Sequence, residues 1–131
     1  MANRDLVASY RRAIQAFNTN DLATTMEIVA PDIVYTFHGH NPVAGEYHGI
    51  DGFREVLERA KAATNGKASL EPLTVLSDEN TVVVWGRFRG TRNGRTLETF
   101  HIYYYRFDQA GRLIEGHTIP VDQHVADQFW S

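Results

Sequence analysis

The spacing of apolar residues changes once along this chain, at Asn65-Gly66, and that change limits the fold more than any other feature. Upstream the spacing is helical. Leu6, Tyr10, Ala13, Ile14 and Phe17 form one stripe across residues 3–18, with Arg4, Arg11, Arg12 and Gln15 on the wet side. Asp21 or Asn20 is placed to cap a shorter helix carrying Leu22, Met26 and Val29, which Pro31-Asp32 ends. A strand is expected over 33–37. A third helix follows, with Asp51 as its N-cap, Phe53, Val56, Leu57 and Ala60 inward, and Arg54–Glu58 and Glu55–Arg59 as charge pairs outside. Asn65-Gly66 supplies its left-handed stop.

Downstream the period is two. Residues 68–76, 81–89, 96–107 and 112–119 read as strands rich in Val, Ile, Thr, Tyr and Phe. The connection through Asn93-Gly94 carries the signature of a type I′ hairpin, which needs positive φ at both central residues. Val121 to Trp130 is expected to form a short helix or an apolar strap. Helices first and hairpins after make an α+β fold, one domain over 1–131, with helices on one face of a curved antiparallel sheet. The two middle strands lack a clean wet face: Val83, Trp85 and Arg87 alternate with Val82, Val84 and Phe88, and Phe100, Ile102 and Tyr104 with His101, Tyr103 and Tyr105. A sheet greasy on both sides needs a second cover, and another copy of the chain is the simplest, so a homodimer through the sheet is expected.

Composition narrows the partners. The 13 basic and 16 acidic residues are spread without blocks, so no basic stripe marks a nucleic-acid surface. No cationic amphipathic helix or long apolar run points to a membrane. Without cysteine, thiolate chemistry and disulfides are excluded. The charged first residues lack an apolar signal segment, and a cytoplasmic location is the default. Neither a Gly-rich phosphate loop nor a nucleophile elbow occurs, so no nucleotide or other cofactor is expected. Residues 33–49 concentrate polar function instead. His38, His40, His48, Tyr35 and Tyr47 lie on a strand end and the Gly/Pro-punctuated loop after it, where rigid scaffolds present groups to ligands.

Several local motifs carry a resemblance: Asn18-Thr-Asn-Asp-Leu22, Ala30-Pro-Asp-Ile-Val34, Gly39-His-Asn-Pro-Val-Ala-Gly45 with Tyr47-His-Gly49, Tyr105 to Ile114, and Asp122 to Trp130. Together they resemble the SnoaL-like branch of the ketosteroid-isomerase-like superfamily, which also holds nuclear-transport-factor-2-like proteins. The resemblance covers essentially the whole chain. It implies a cone-shaped sheet wrapped around a long N-terminal helix (a cystatin-like fold), with a pocket in the open end. The steroid isomerases' own catalytic groups are replaced: their helix tyrosine falls at Ala13, and their two aspartates near Phe37 and Tyr103.

In that frame His38 is expected to be the acid/base group, because a histidine exchanges protons near neutral pH. Tyr103 is expected to donate to a developing oxyanion, with His101 as second proton site or as orienter of Tyr103. His117 joins the catalytic set if a bulge turns it inward; strict alternation points Gly116 and Thr118 in instead. Tyr10, Ala13, Phe17, Tyr35, Phe53, Val84, Phe88 and Thr118 are the expected lining. His38-x-His40 does not make a convincing metal site, since the third ligand would come from the loop. Asp122 is expected to cap the last helix. These groups suit a cofactor-independent cyclase, isomerase or dehydratase acting on a small hydrophobic oxygenated molecule, such as a polyketide, steroid-like or terpenoid compound. The alternatives are a non-catalytic ligand-binding dimer and an epoxide-type hydrolase.

Overall fold

The computed structural model describes residues 5–131, so Arg4 lies outside the described residues. The first helix, α1 (Leu6–Asn18), starts where Asp5 accepts a hydrogen bond from the Ala8 backbone N–H at 2.9 Å. Asp21 caps α2 (Leu22–Met26) in the same way through Thr24. Val29, expected above in the second helix, instead opens β1 (Val29–Phe37), which runs straight through Pro31-Asp32. The proline is tolerated because β1 is irregularly paired between Val29 and Val34, where its missing N–H costs no ladder bond.

The loop after β1 holds an unexpected strand, β2 (Gly45–His48), paired antiparallel to β1 with Tyr47 opposite Tyr35. The third helix, α3 (Gly49–Ala63), begins before Asp51, and no side chain caps it. Asp51 sits in the first turn, where its charge suits the helix dipole, and binds Arg54 at 2.8 Å. Arg54 therefore turns toward Asp51 rather than Glu58, whereas the expected Glu55–Arg59 pair forms at 2.7 Å. At the stop, Asn65 and Gly66 adopt φ of 54° and 78°.

The meander follows as β3 (Ser69–Ser77), β4 (Thr81–Arg92), β5 (Arg95–Phe107) and β6 (Leu113–Pro120), and α4 (Gln123–Trp130) ends the chain, capped by Asp122. Asn93 and Gly94 have φ of 51° and 75°, as a type I′ turn requires. All six strands form one curved sheet in the order β2-β1-β6-β5-β4-β3. Every neighbouring pair is antiparallel except β1–β6, which is parallel and corrects the wholly antiparallel reading.

Helices α1 and α3 cover one face, α1 against β3 and β4 and α3 against β1. Alternation then sorts the side chains. Ile33, Tyr35 and Phe37, Val82, Val84 and Phe88, and His101, Tyr103, Tyr105 and Phe107 all point under the helices and are buried. On the other face Trp85 and Phe100 stack in the open, their centroids 5.2 Å apart.

Gly116 lets the concave face close. It pairs with Tyr35 across β1–β6, and a Cβ there would lie 2.7 Å from that ring. Gly116→Ala is therefore expected to destabilise the protein by about 1–3 kcal/mol through overpacking, measured by urea denaturation; an unchanged midpoint would show that the Tyr35 ring moves freely.

Candidate active site

Between the two covering helices and the concave face lies a cavity of about 100 Å³. That is well below the ~300 Å³ at which drug-sized sites begin, and nearer the ~150 Å³ hole that admits benzene into an apolar core. The helices contribute Tyr10, Ala13, Ile14 and Phe17 from α1 and Phe53, Val56, Leu57 and Ala60 from α3. Tyr35 and Phe37 come from β1, Phe88 from β4, and His101, Tyr103, Tyr105 and Phe107 from β5. Thr25 on α2, Thr118 on β6 and Trp130 on α4 complete the polar part of the wall. Among the described lining residues none is a carboxylate, lysine or arginine.

The polar groups are few and their environments differ sharply. Tyr35 shares a hydrogen bond with Thr118 and another with Tyr105, so that corner is satisfied within the protein. His101 is 1% exposed, shares a 2.8 Å hydrogen bond between its Nδ1 and the Tyr103 hydroxyl, and stacks on Phe88 at 5.1 Å. Among the described residues its Nε2 finds no partner; nor do the Tyr10 hydroxyl and the Trp130 indole N–H, both equally buried. Burial lowers the His101 pKa to about 4, so the imidazole is neutral at physiological pH. Burial also raises Tyr10, Tyr35, Tyr103 and Tyr105, with their mutual repulsion as phenolates adding to it for all but Tyr35. These phenols remain protonated donors. The arrangement can accept one proton at an imidazole and donate hydrogen bonds to an oxygen, with no fixed charge nearby.

The structure separates the histidines that were expected together. Phe37 points into the cavity, so His38, the next residue, points out through the sheet. There it meets His117, which also faces outward because the bulge in the β5–β6 ladder falls at Arg106/Phe107 and leaves its parity unchanged. His38 Nε2 and His117 Nδ1 are 2.9 Å apart, and His117 Nε2 lies 2.7 Å from Glu115, which also takes Arg106. An ionised carboxylate only accepts, so His117 donates to Glu115 and a neutral His117 accepts from His38. The hydrogen bond from His117, helped by Arg106, holds Glu115 below its ordinary pKa, while burial and then the charge of His117 lower His38. His38 and His117 thus form an outer-face chain on the opposite side of the sheet from His101 and Tyr103.

Val84 also leaves the expected lining. It pairs with Tyr103 across β4–β5 and is fully buried, but its short side chain does not border the cavity. Tyr10, Ala13, Phe17, Tyr35, Phe53, Phe88 and Thr118 all do. His40 and His48 are exposed, His48 against Glu46 at 2.8 Å, and among the described residues no three His, Asp or Glu side chains form a metal-ligand group. Sequence reasoning left both Trp130 and Tyr105 out of the expected lining. The available signal for Trp130 was an aromatic pair, Phe129-Trp130, closing an amphipathic last turn.

This geometry matches known proteins. The family model described as SnoaL-like domain matches residues 10–116. The chain belongs to the SnoaL-like family. Among curated relatives, the uncharacterised protein Rv0034 of Mycobacterium tuberculosis is 28% identical over 131 residues, covering 99% of this chain and 97% of the relative. Among solved structures, Bal32a from a soil-derived mobile gene cassette is 25% identical with a TM-score of 0.91, covering 96% of each chain. TerC, co-crystallised with polyporic acid, is 17% identical with a TM-score of 0.83, covering 95% of this chain and 96% of its own. The SnoaL-like fold here is thus the cystatin-like, NTF2-like one.

Proposed function

We propose that this SnoaL-like protein is a cofactor-independent acid/base enzyme that moves a proton next to the carbonyl of a small, uncharged ring compound. One observation carries the reading: a buried, neutral imidazole whose Nδ1 is held by Tyr103 and whose Nε2 is unpartnered beside an apolar cavity. Membership of a family that includes polyketide cyclases and isomerases supports it. TerC, of the same fold, was crystallised with a small organic ligand, polyporic acid. The volume favours a single ring over a fused steroid-like system.

In this mechanism His101 Nε2 takes a proton from the carbon beside the carbonyl. The proton on Nδ1 passes to the Tyr103 oxygen, and Tyr103 gives its own proton to the carbonyl oxygen. The product is the enol, and His101 is left as its other tautomer. Returning a proton from Nε2 to a different carbon, while the enol proton goes back to Tyr103, completes an isomerisation and resets the pair. Elimination of a neighbouring hydroxyl from the enol, with the same pair, is a dehydration. Tyr10 stands as a further donor to substrate oxygen.

The test follows isomerisation of cyclohex-3-enone to its conjugated isomer, and α-hydrogen exchange of cyclohexanone in heavy water. His101→Ala is expected to lower the catalysed rate by at least ~10²-fold, and Tyr103→Phe by less. The base must be neutral to act, so the rate should rise through about pH 4 and stay flat across neutrality. Binding in the cavity without acceleration over buffer would contradict catalysis and leave a small-molecule-binding protein.

We further propose that the outer face of the sheet pairs two copies of the chain. Rows Leu76–Val83–Tyr104 and Trp85–Ile102–Ile119 lie side by side there, and Leu76, Trp85 and Phe100 are exposed at 65%, 38% and 39%. Exposed apolar area of this continuity is what an isologous interface covers. Light scattering at micromolar concentration should give twice the chain mass of 14.9 kDa, and Trp85→Glu should halve it. A wild-type mass equal to that of one chain would overturn the pairing.

A further inference from the structure

The Asn-Pro-Val-Ala-Gly loop and the end of the chain act on each other. Asn41 Oδ1 accepts from the backbone N–H groups of Val43 and Ala44, each at 2.9 Å, and so folds the loop on itself. Asn41 Nδ2 and the His40 backbone N–H both donate to Asp127 Oδ1 at 2.8 Å. Gly39 permits the approach, since a Cβ there would lie 2.6 Å from that same oxygen. Asp127 is in the middle of α4, and Asp122 caps the helix start. The loop therefore clamps α4 against the end of the sheet, and the clamp seats Trp130 in the cavity wall.

Trp130 is 1% exposed and surrounded by rings. Phe129, Phe37 and Phe88 lie at centroid distances of 5.0, 5.7 and 5.7 Å, the first two edge-on. These contacts satisfy the ring but offer nothing to its N–H, which has no acceptor among the described residues. A side chain needed only to fill this space would carry no buried donor, because an unmet N–H is costly. Phe88 also packs against His101, stacked at 5.1 Å, whose Nε2 is likewise unpartnered among the described residues. Two unmet ring nitrogens thus belong to rings packed against one phenylalanine of the cavity lining. An indole N–H only donates, so what satisfies it must accept. Among the described lining residues there is no lysine or arginine to hold an anion.

We propose that Trp130 is the specificity-determining residue of this site: its indole N–H binds a carbonyl oxygen of a neutral substrate and so sets the substrate's carbon skeleton against His101. The proposal rests on the cavity being a ligand site, as argued above, and names the chemistry of the ligand. The conserved-volume alternative, an alkene in place of the ketone, fills the same space and leaves the indole unmet.

The experiment uses ¹⁵N-labelled full-length protein titrated with cyclohexanone and, separately, with methylenecyclohexane, which has the same shape and no oxygen. The protein has two tryptophans, and Trp85 on the outer face is the internal reference; Trp85→Phe and Trp130→Phe assign the two indole signals. The Trp130 indole proton should move downfield with cyclohexanone and not with methylenecyclohexane, while Trp85 stays still. Trp130→Phe should weaken cyclohexanone relative to methylenecyclohexane by roughly three- to tenfold, the factor one neutral hydrogen bond supplies. If Trp130→Phe does not fold, the wild-type indole shift decides alone. Equal responses of the Trp130 indole to both compounds, with other cavity signals moving, would overturn the role of Trp130 and leave the ligand site standing. No response of any cavity signal to either compound would overturn both.

Discussion

Burial of an imidazole in a space without countercharge governs this molecule. A protonated His101 would face Phe88 and the tyrosine rings with no carboxylate among the described residues around the cavity, so the charged form is expelled and the neutral one kept. The tyrosines obey the same rule with the opposite sign of charge. One physical condition therefore sets both protonation states: an imidazole that remains unprotonated and phenols that remain protonated. The Tyr103 contact adds direction by occupying Nδ1 and leaving Nε2 as the ring nitrogen without a partner among the described residues.

Strand parity decides which groups share that condition. Phe37 and His38 are neighbours in the chain, yet one lies in the hollow and the other in a hydrogen-bonded chain with His117, Glu115 and Arg106 on the far face. The sheet thus carries two chemically distinct surfaces. Inside, polar groups are sparse, uncharged and partly unmet. Outside, they are paired with one another and border an exposed aromatic strip.

Much of this was legible in the sequence. The change of period at Asn65-Gly66 located the meander, and the strict alternation of β5 put His101, Tyr103 and Tyr105 on one face. The apolar stripe of α1 marked Tyr10, Ala13 and Phe17 as lining. What was not legible came from non-local pairing. No local pattern announces that β1 lies parallel beside β6, nor that four residues, 45–48, following a Gly-Pro loop become an edge strand. The proline at 31 read as a stop because its tolerance depends on an irregular ladder formed with a distant strand. His38 was a different kind of error: Ile33, Tyr35 and Phe37 already alternate inward, so its outward parity was present in the sequence but outweighed by its place at the strand end. Trp130 was hidden because its position depends on Asp127 reaching Asn41, a contact spanning most of the chain.

The central claim is that His101 is a neutral base looking into a ligand cavity. The most direct measurement is ¹⁵N NMR of the protein labelled in its histidine side chains, followed from pH 7 to pH 3.5. The account predicts that one imidazole, lost in His101→Gln, keeps the shifts of a neutral ring until about pH 4 and that its Nε2 signal responds when cyclohexanone is added. Titration of that ring near the ordinary histidine value of about 6.5, with no response to the ketone, would contradict it.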